Sequence, residues 1–330
     1  MTRSPAADSN DIHTLQNEPG LLEYQAAAKV LYRRAELLNR IQFGLGVLLP
    51  VLVAVANLAL PGLVIGRTID RGSFAAWGAL YGIVIMLLDE LVFDNWQLSW
   101  KRDAATAQEM FDTTLFRLPW RRTKVGEPLE TEDVHTWASR WRRVDPSLEM
   151  VRDWYAPTVR CVPLYLARVM CQRTNLWWDS KLRQQYALLL GIFAFSLAVL
   201  AFAVSKYLGL DVDGLLLATS TVAPAFRWAV RERKRHRATA STLERLCTRA
   251  RELQDRIMAD TVDVASAEQQ SRELQDDIFD HRRSAPIGIS WLYRIRRSEF
   301  EPAMGVNADH VIREYREKRG LPPCAEIMNR

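Results

Sequence analysis

The chain has 330 residues, 48% of them hydrophobic and 25% charged, with a mean hydropathy of −0.14. These averages suit a soluble protein of two or three domains, yet residues 41–66 contain no Lys, Arg, Asp or Glu, and neither do residues 184–205. Each window exceeds the roughly 20 apolar residues that cross a bilayer, so a wholly soluble chain is excluded, as are general disorder and a disulfide-stapled mini-protein. The net charge of +5, from 44 basic and 39 acidic groups, is too balanced to point to DNA or RNA as a partner.

The first twenty residues read as a flexible leader, and the polar stretch to residue 40 rules out a cleaved signal peptide before the first apolar run. Ile41 to Leu60 is expected as the first membrane span, with Pro50 as an internal kink. Phe74 to Phe93 is the second, with Trp77 as an interfacial anchor. No Gly or Pro follows Gly82 until Pro119, and Trp96, Trp100, Ala104, Ala107, Phe111 and Leu115 recur at helical spacing, so the span continues inward as an amphipathic helix. Val159 to Leu166 is the only short strand candidate. Pro163 to Gly191 is free of breakers and feeds the third span, Ala187 to Ser205.

Leu215 to Val230 is the weakest span, carrying Thr219, Ser220, Thr221, Pro224 and Arg227. Without it, the basic carboxyl-terminal hundred residues would lie across the membrane from the basic middle. From Ala225 to Ala285 there is neither Gly nor Pro, and Leu243, Leu246, Ala250, Leu253, Ile257, Val264, Ala267, Leu274 and Ile278 share one a/d frame. The stretch is either one helix of about 90 Å or a hairpin folded near Asp260 to Ser266, its seam covered by this chain or by a second subunit.

Charge sidedness sets an orientation. Twelve Lys and Arg (Arg33, Arg34, Arg40, Lys101, Arg102, Lys181, Arg183, Arg231, Arg233, Lys234, Arg235 and Arg237) flank the spans on one side, against Arg67, Arg71 and Lys206 on the other. The amino terminus, middle segment and carboxyl terminus are therefore expected in the cytoplasm. The expected fold is mainly α: a four-helix transmembrane region of two hairpins whose helical extensions form a cytoplasmic body. The segments are 1–40 (leader and helix), 41–93 (hairpin 1), 94–186 (cytoplasmic), 187–230 (hairpin 2) and 231–330 (cytoplasmic helical region).

No catalytic constellation stands out, and the chain is not expected to be an enzyme. The five histidines are scattered and there is no GxSxG, Walker or GxGxxG motif. Cys161, Cys171, Cys247 and Cys324 lack a CxxC pair and read as separate reduced thiols, so no metal or cofactor is expected. Tryptophans beside arginines, as in Trp120-Arg121-Arg122 and Arg140-Trp141-Arg142-Arg143, are core anchors and lipid-facing cations by default, or a surface for a nucleotide. Asp89 and Glu90 at the inner end of the second span, with Thr219, Ser220 and Thr221, are pore-lining candidates, or merely solvated and interhelical groups.

Several strings together carry a resemblance. They are Gln16-Asn17-Glu18-Pro19-Gly20 with Ala35-Glu36-Leu37-Leu38-Asn39, and Phe111-Asp112-Thr113-Thr114-Leu115-Phe116 with Leu118-Pro119-Trp120. Trp154-Tyr155 with Pro157, Cys171-Gln172-Arg173-Thr174-Asn175 with Trp178-Asp179 and Leu182-Arg183, and Pro286 with Trp291-Leu292-Tyr293 and Arg296-Arg297 complete the set. Over nearly its whole length the chain resembles the S-4TM (SMODS-associating four-transmembrane) effectors of bacterial CBASS anti-phage systems. The resemblance implies an inner-membrane effector, coupled to a nucleotidyltransferase, that senses a cyclic di- or oligonucleotide, then oligomerises or opens and disrupts the lipid bilayer. It maps no ligand site. From the residues themselves, Arg173, Asn175 and Arg183 are candidates for phosphate or base-edge contacts, Trp178 and Tyr155 for stacking, and Arg282, Arg283 and Arg296 for a second basic wall. The alternative from another class is a membrane scaffold or ion channel gated by a protein partner.

Overall fold

The computed structural model describes residues 10–53, 71–207, 209 and 211–325, with the side chains of 71–79, 213–221, 297 and 300–304 set aside. The end of the first expected span and the side chains of Trp77, Thr219, Ser220 and Thr221 lie outside what is described. Among the described residues there is no strand.

Helix α1 (Ile12–Leu15) is followed by α2 (Pro19–Phe43), which opens on Pro19, a residue whose fixed φ and missing N–H suit a first helical turn. Beyond Phe43 the helix passes through a π turn, Gly44–Leu48, and continues to residue 53. Helix α3 (Arg71–Leu88) likewise passes through a π turn, Asp89–Phe93, into α4 (Asp94–Phe116). These π turns sit side by side where the two helices leave the apolar segment: Tyr81 donates its hydroxyl to the Leu45 carbonyl at 2.7 Å, and Gln42 donates to Asp94 at 3.1 Å. Helix α4 ends at Arg117, whose left-handed φ of 51° closes the last turn; the buried Arg168 side chain donates to the carbonyls of Phe116 and Arg117.

Two short helices, α5 (Arg122–Val125) and α6 (Thr131–Arg142), precede the 3₁₀ turns Glu149–Val151 and Pro157–Cys161. The strand expected over Val159 to Leu166 is corrected here: Pro157 begins a 3₁₀ turn, and the Pro163 carbonyl accepts from Leu166 and Ala167, already inside the first turn of α7 (Leu164–Tyr207). Two prolines pre-set for turns outweigh the β-branched residues between them.

Helix α7 runs 44 residues without interruption, from the centre of the body through the third apolar stretch. Helix α8 (Val212–Met258) runs back beside it, with Pro224 inside. The two approach closely at Gly191, where an added Cβ would lie 2.9 Å from Arg233 Nε. The Gly- and Pro-free stretch then folds as a hairpin, not one rod. Asp260 takes a φ of 55°, Thr261 N–H bonds the Arg256 carbonyl at 3.0 Å, and Asp263 caps α9 (Val264–Ser284) by accepting from Ser266 N–H at 2.9 Å. Helix α10 (Ser290–Lys318) crosses α7 and the Pro157–Cys161 turn.

The a/d seam is buried within the chain. Leu243, Ala250, Leu253, Ile257, Ala267, Leu274 and Ile278 join Phe111, Leu115, Phe116, Leu166, Val169 and Leu176 in the main core, so these positions have no face left for a second subunit. On α4, Ala104, Ala107, Phe111 and Leu115 are buried as expected, while Trp96, nearer the apolar segment, stays 54% exposed.

Two of the four expected spans fall on helices long and apolar enough to cross a membrane, residues 19–53 and 164–207. The other two are helical, but do not by themselves establish a four-helix membrane region. Leu188, Ile192, Phe195, Val199, Leu200 and Phe202 on α7 are 49–71% exposed, as are Ile83, Met86 and Leu91 (52–65%) along α3 and its π turn. An apolar band of that extent is not left facing water.

The cysteines require a second correction. Cys161 and Cys324, 163 positions apart with Cα atoms separated by 5.7 Å, form a disulfide, whereas Cys171 and Cys247 are free and buried. Sequence spacing carries no trace of a pair brought together by α10 folding back over the 3₁₀ turn. Alkylation of the denatured, unreduced protein is expected to modify two cysteines by mass spectrometry and four after reduction; four without reductant would refute the pairing.

Candidate functional site

Charge is concentrated in the centre of the body. Glu109 on α4 is fully buried and accepts from Arg272 Nη2 at 2.7 Å and Gln275 Nε2 at 2.8 Å, both on α9. One turn on, Asp112 accepts from Arg282 Nη1 at 2.6 Å, Gln275 Nε2 at 3.0 Å and the Tyr155 hydroxyl at 3.4 Å. Gln172 on α7 completes the set, donating to the Ser271 carbonyl and Gln275 Oε1 and accepting from the Ser271 hydroxyl, each at 3.0 Å. Burial pushes the Glu109 carboxyl up, opposed by the Arg272 guanidinium; for Arg282 the Asp112 carboxylate overrides burial and raises its pKa.

A second network reaches the helices that enter the apolar region. Asp179 on α7 binds Arg183 at 2.9 Å and His281 Nε2 at 2.7 Å. Burial disfavours its charge, but Arg183 and His281 together hold its pKa well below the usual carboxylate range. Arg183 also donates to the Pro286 carbonyl at 2.9 Å and lies 3.4 Å from His236 Nδ1 on α8. Arginine can only donate, so Nδ1 accepts and the ring is neutral. Burial, with Arg183 beside it, pushes His236 down to about 3.

A concavity lies beside this network. A groove of about 500 Å³ runs between α8 and α9, lined by Ala238, Thr239, Thr242, Arg245 and Leu246 on one side and Asp277, Asp280, His281, Ser284 and Ala285 on the other. The Ala238 to Thr242 run has only small side chains, which is why the helices leave a gap there. Asp277 binds Arg249 at 2.7 Å, and Asp280 binds Lys124 and, at 3.2 Å, Arg283. Arg245 donates to Thr242 Oγ1 at 3.1 Å, with no ion pair among the described residues. Lys101 on α4, which does not line the groove, is 4% exposed, donates to the Ser284 carbonyl at 3.3 Å, and likewise has no carboxylate partner among the described residues. Burial, then the cations Arg235 and Arg183, push it down to about 8.

The residues singled out from sequence separate into distinct surroundings. Tyr155 is 2% exposed, its ring 5.7 Å from Phe116, and its hydroxyl accepts from Asn175 Nδ2 at 2.7 Å while facing Asp112. Asn175 also accepts from Trp154 Nε1. Tyr155, Asn175 and Arg282 thus meet in one buried network and are occupied by one another. Arg183 is buried against Asp179. Arg173 bridges Gln254 and Asn307, each at 3.3 Å, and Trp178 packs at 5.3 Å on Tyr293. Arg283 lies over the Phe279 ring, and Arg296 pairs with Glu299 on the surface of α10. Glu90 and Asp89 fall in the second π turn, with Asp89 half-buried and Glu90 exposed.

The sequence offers Asp179 as an i,i+4 partner of Arg183, which the structure bears out although the pair is more buried than a surface bridge, but it singles out none of Lys101, Arg245 and His281 as site residues. One signal existed: Lys101 stands within the stripe that includes Ala104 and Ala105, where a solvated lysine does not belong.

These features define a helical, membrane-associated protein whose charge networks reach its apolar helices. The family's model, for the SMODS-associating 4TM effector domain, matches residues 10–311, and the chain belongs to that family. A probable CBASS effector molecule of Bacillus cereus (strain VD146) is 21% identical over 293 residues, which cover 88% of this chain and 94% of that protein. No solved structure matches.

Two measurements follow from these networks. Arg272→Ala leaves Glu109 buried and uncompensated and is expected to destabilise the protein by about 3–5 kcal/mol, with part regained when Glu109→Gln is added, as read by thermal unfolding in detergent. His236 in the unfolded chain titrates near its ordinary value of about 6.5 and in the folded chain near 3, so between these the unfolded state binds the extra proton. Stability should fall as pH drops through that window, and His236→Gln should make the fall shallower by about one proton.

Proposed function

We propose that this chain is a membrane effector of anti-phage defence, activated by a cyclic oligonucleotide from a coupled nucleotidyltransferase. Family membership, with the relative's description as a probable CBASS effector molecule, supports the defence role. The cytoplasmic body is the sensor, both termini are cytoplasmic, and two apolar hairpins lie in the bacterial inner membrane. On activation the chains oligomerise or open the bilayer, with Asp89 and Glu90 at the inner mouth of the opening.

The observation that carries this reading is the continuity of α7. The helix that holds Gln172 and Asp179 in the body's charge networks is the same unbroken helix that presents Leu188 to Phe202 as an exposed apolar face. A change in the body therefore moves the apolar segment without a joint between them. Shifting a two-state assembly from 1:99 to 99:1 requires about 5.5 kcal/mol of differential affinity. Several charge-assisted phosphate contacts, summed over subunits, reach that figure.

The test is reconstitution of the full chain in dye-loaded liposomes, followed by a panel of cyclic di- and trinucleotides. At least one is expected to release dye and to bind the detergent-solubilised protein. Absence of both would sink the sensor reading and favour gating by a protein partner.

A further inference from the structure

The connection from α9 to α10 is apolar where a surface connection is ordinarily polar. Residues 285–291 read Ala-Pro-Ile-Gly-Ile-Ser-Trp, and Ile287 and Ile289 are only half-buried. On the first turns of α10, Trp291, Arg294, Ile295 and Ser298 recur at spacings of three and four and so share one face. All four are exposed, Ile295 to 63%. The inner side is occupied: Leu292 packs on Leu182 of α7, and Tyr293 lies against Trp178.

Three contacts place this face at the edge of the apolar band. Glu36 of α2, five residues before Ile41, accepts from Ser290 N–H at 3.1 Å. A Cβ added at Gly288 would lie 3.5 Å from Nδ2 of Asn39, two residues before Ile41. The Trp291 ring is 6.3 Å from that of Tyr186 on α7, and Leu188, two residues further on, is 63% exposed. At 1.5 Å per residue these separations are about 3 to 8 Å along the helix axes, comparable to the headgroup layer of a bilayer. From this end α10 runs away from the band, since the Tyr315 hydroxyl lies 3.3 Å from that of Tyr165 at the start of α7.

The charge on this corner is positive. Arg294 makes no ion pair among the described residues, and Arg40, its side chain 59% exposed, stands 3.6 Å from the Glu36 carboxylate that holds Ser290. Tryptophan and an aliphatic anchor beside cations are the composition that settles on an anionic bilayer surface. Continuity with the exposed face of α7 selects lipid over a second protein chain as the occupant.

We propose that residues 287–295 form an interfacial foot, with Trp291 and Ile295 entering the headgroup layer and Arg294 receiving an anionic lipid phosphate. The proposal rests on the membrane reading above. It gives the body a hold on the bilayer outside the spans, tied to α2 through Glu36 and to α7 through Leu182.

The experiment attaches a fluorophore to single cysteines introduced into the full chain in nanodiscs of phosphatidylglycerol and phosphatidylcholine. The unmodified chain, whose free Cys171 and Cys247 are buried, sets the background. Ile295→Cys is expected to be quenched by a headgroup-nitroxide lipid, and Ile192→Cys, in the apolar band, by nitroxide lipid of either depth. Val306→Cys, 71% exposed and about 16 Å further along α10, should be quenched by neither. Arg294→Glu, or omission of phosphatidylglycerol, should cut the quenching at Ile295→Cys by about half. Quenching at Ile192→Cys with none at Ile295→Cys overturns the foot and leaves the membrane reading standing, whereas none at either overturns both. Self-quenching between copies labelled at position 295, without quenching by lipid, would put a second chain there and overturn the foot. Quenching at Ile295→Cys that ignores both Arg294→Glu and lipid charge overturns the anionic headgroup as the ligand.

Discussion

Charge buried without water must be matched by opposite charge or by hydrogen bonds, and the helical body is organised around that requirement. Glu109 and Asp112 on α4 have no solvent to stabilise them, so Arg272, Gln275 and Arg282 must lie on the facing surface of α9. Those three residues, three and then seven positions apart, share one face of one helix, which sets the axial register of α9 against α4. Gln172 then ties α7 to the same turns. The apolar core around Phe111, Leu166 and Leu274 supplies most of the free energy of folding, while the charges select one alignment among the many that leucine and alanine would tolerate.

That alignment has consequences at the membrane. Because α4 and α7 both continue into apolar segments, a register fixed in the body is transmitted to residues 80–93 and 187–205. The π turns at Gly44–Leu48 and Asp89–Phe93 lie side by side where the first two long helices change from apolar to polar sequence. Each widened turn shifts the side chains that follow it around the helix. Two partnered networks, one centred on Asp112 and one on Asp179, lie on the body side of that level. Lys101, also buried, is matched by the Ser284 carbonyl rather than by a carboxylate among the described residues.

Periodicity is a property of the local sequence and was legible. The stripe of α4, the breaker-free α7 and the a/d seam all follow from side chains repeating on one face. Turn chemistry was legible only in part. The hairpin at Asp260 was one of two readings, since a polar, Gly-free stretch can continue a helix or end one, and the choice depended on whether α9 could bury its apolar face on α4 and α7. The candidate ligand residues fared less well. Tyr155 and Arg282 are chemically able to stack on a base and bind a phosphate, but which chemistry is used depends on what the fold places opposite them. Here that is Phe116, Asn175 and Asp112.

By itself, then, the sequence determined a helical chain with apolar segments, their lengths and a strong asymmetry of flanking charge, because each is a sum over neighbouring residues. Tertiary structure alone decided the Cys161–Cys324 bond, the internal burial of the seam, the groove between α8 and α9, and which cations remain without a carboxylate. Those facts depend on pairs separated by tens to hundreds of residues, and nothing in the spacing of a single chain encodes the distance between two helix faces until they pack.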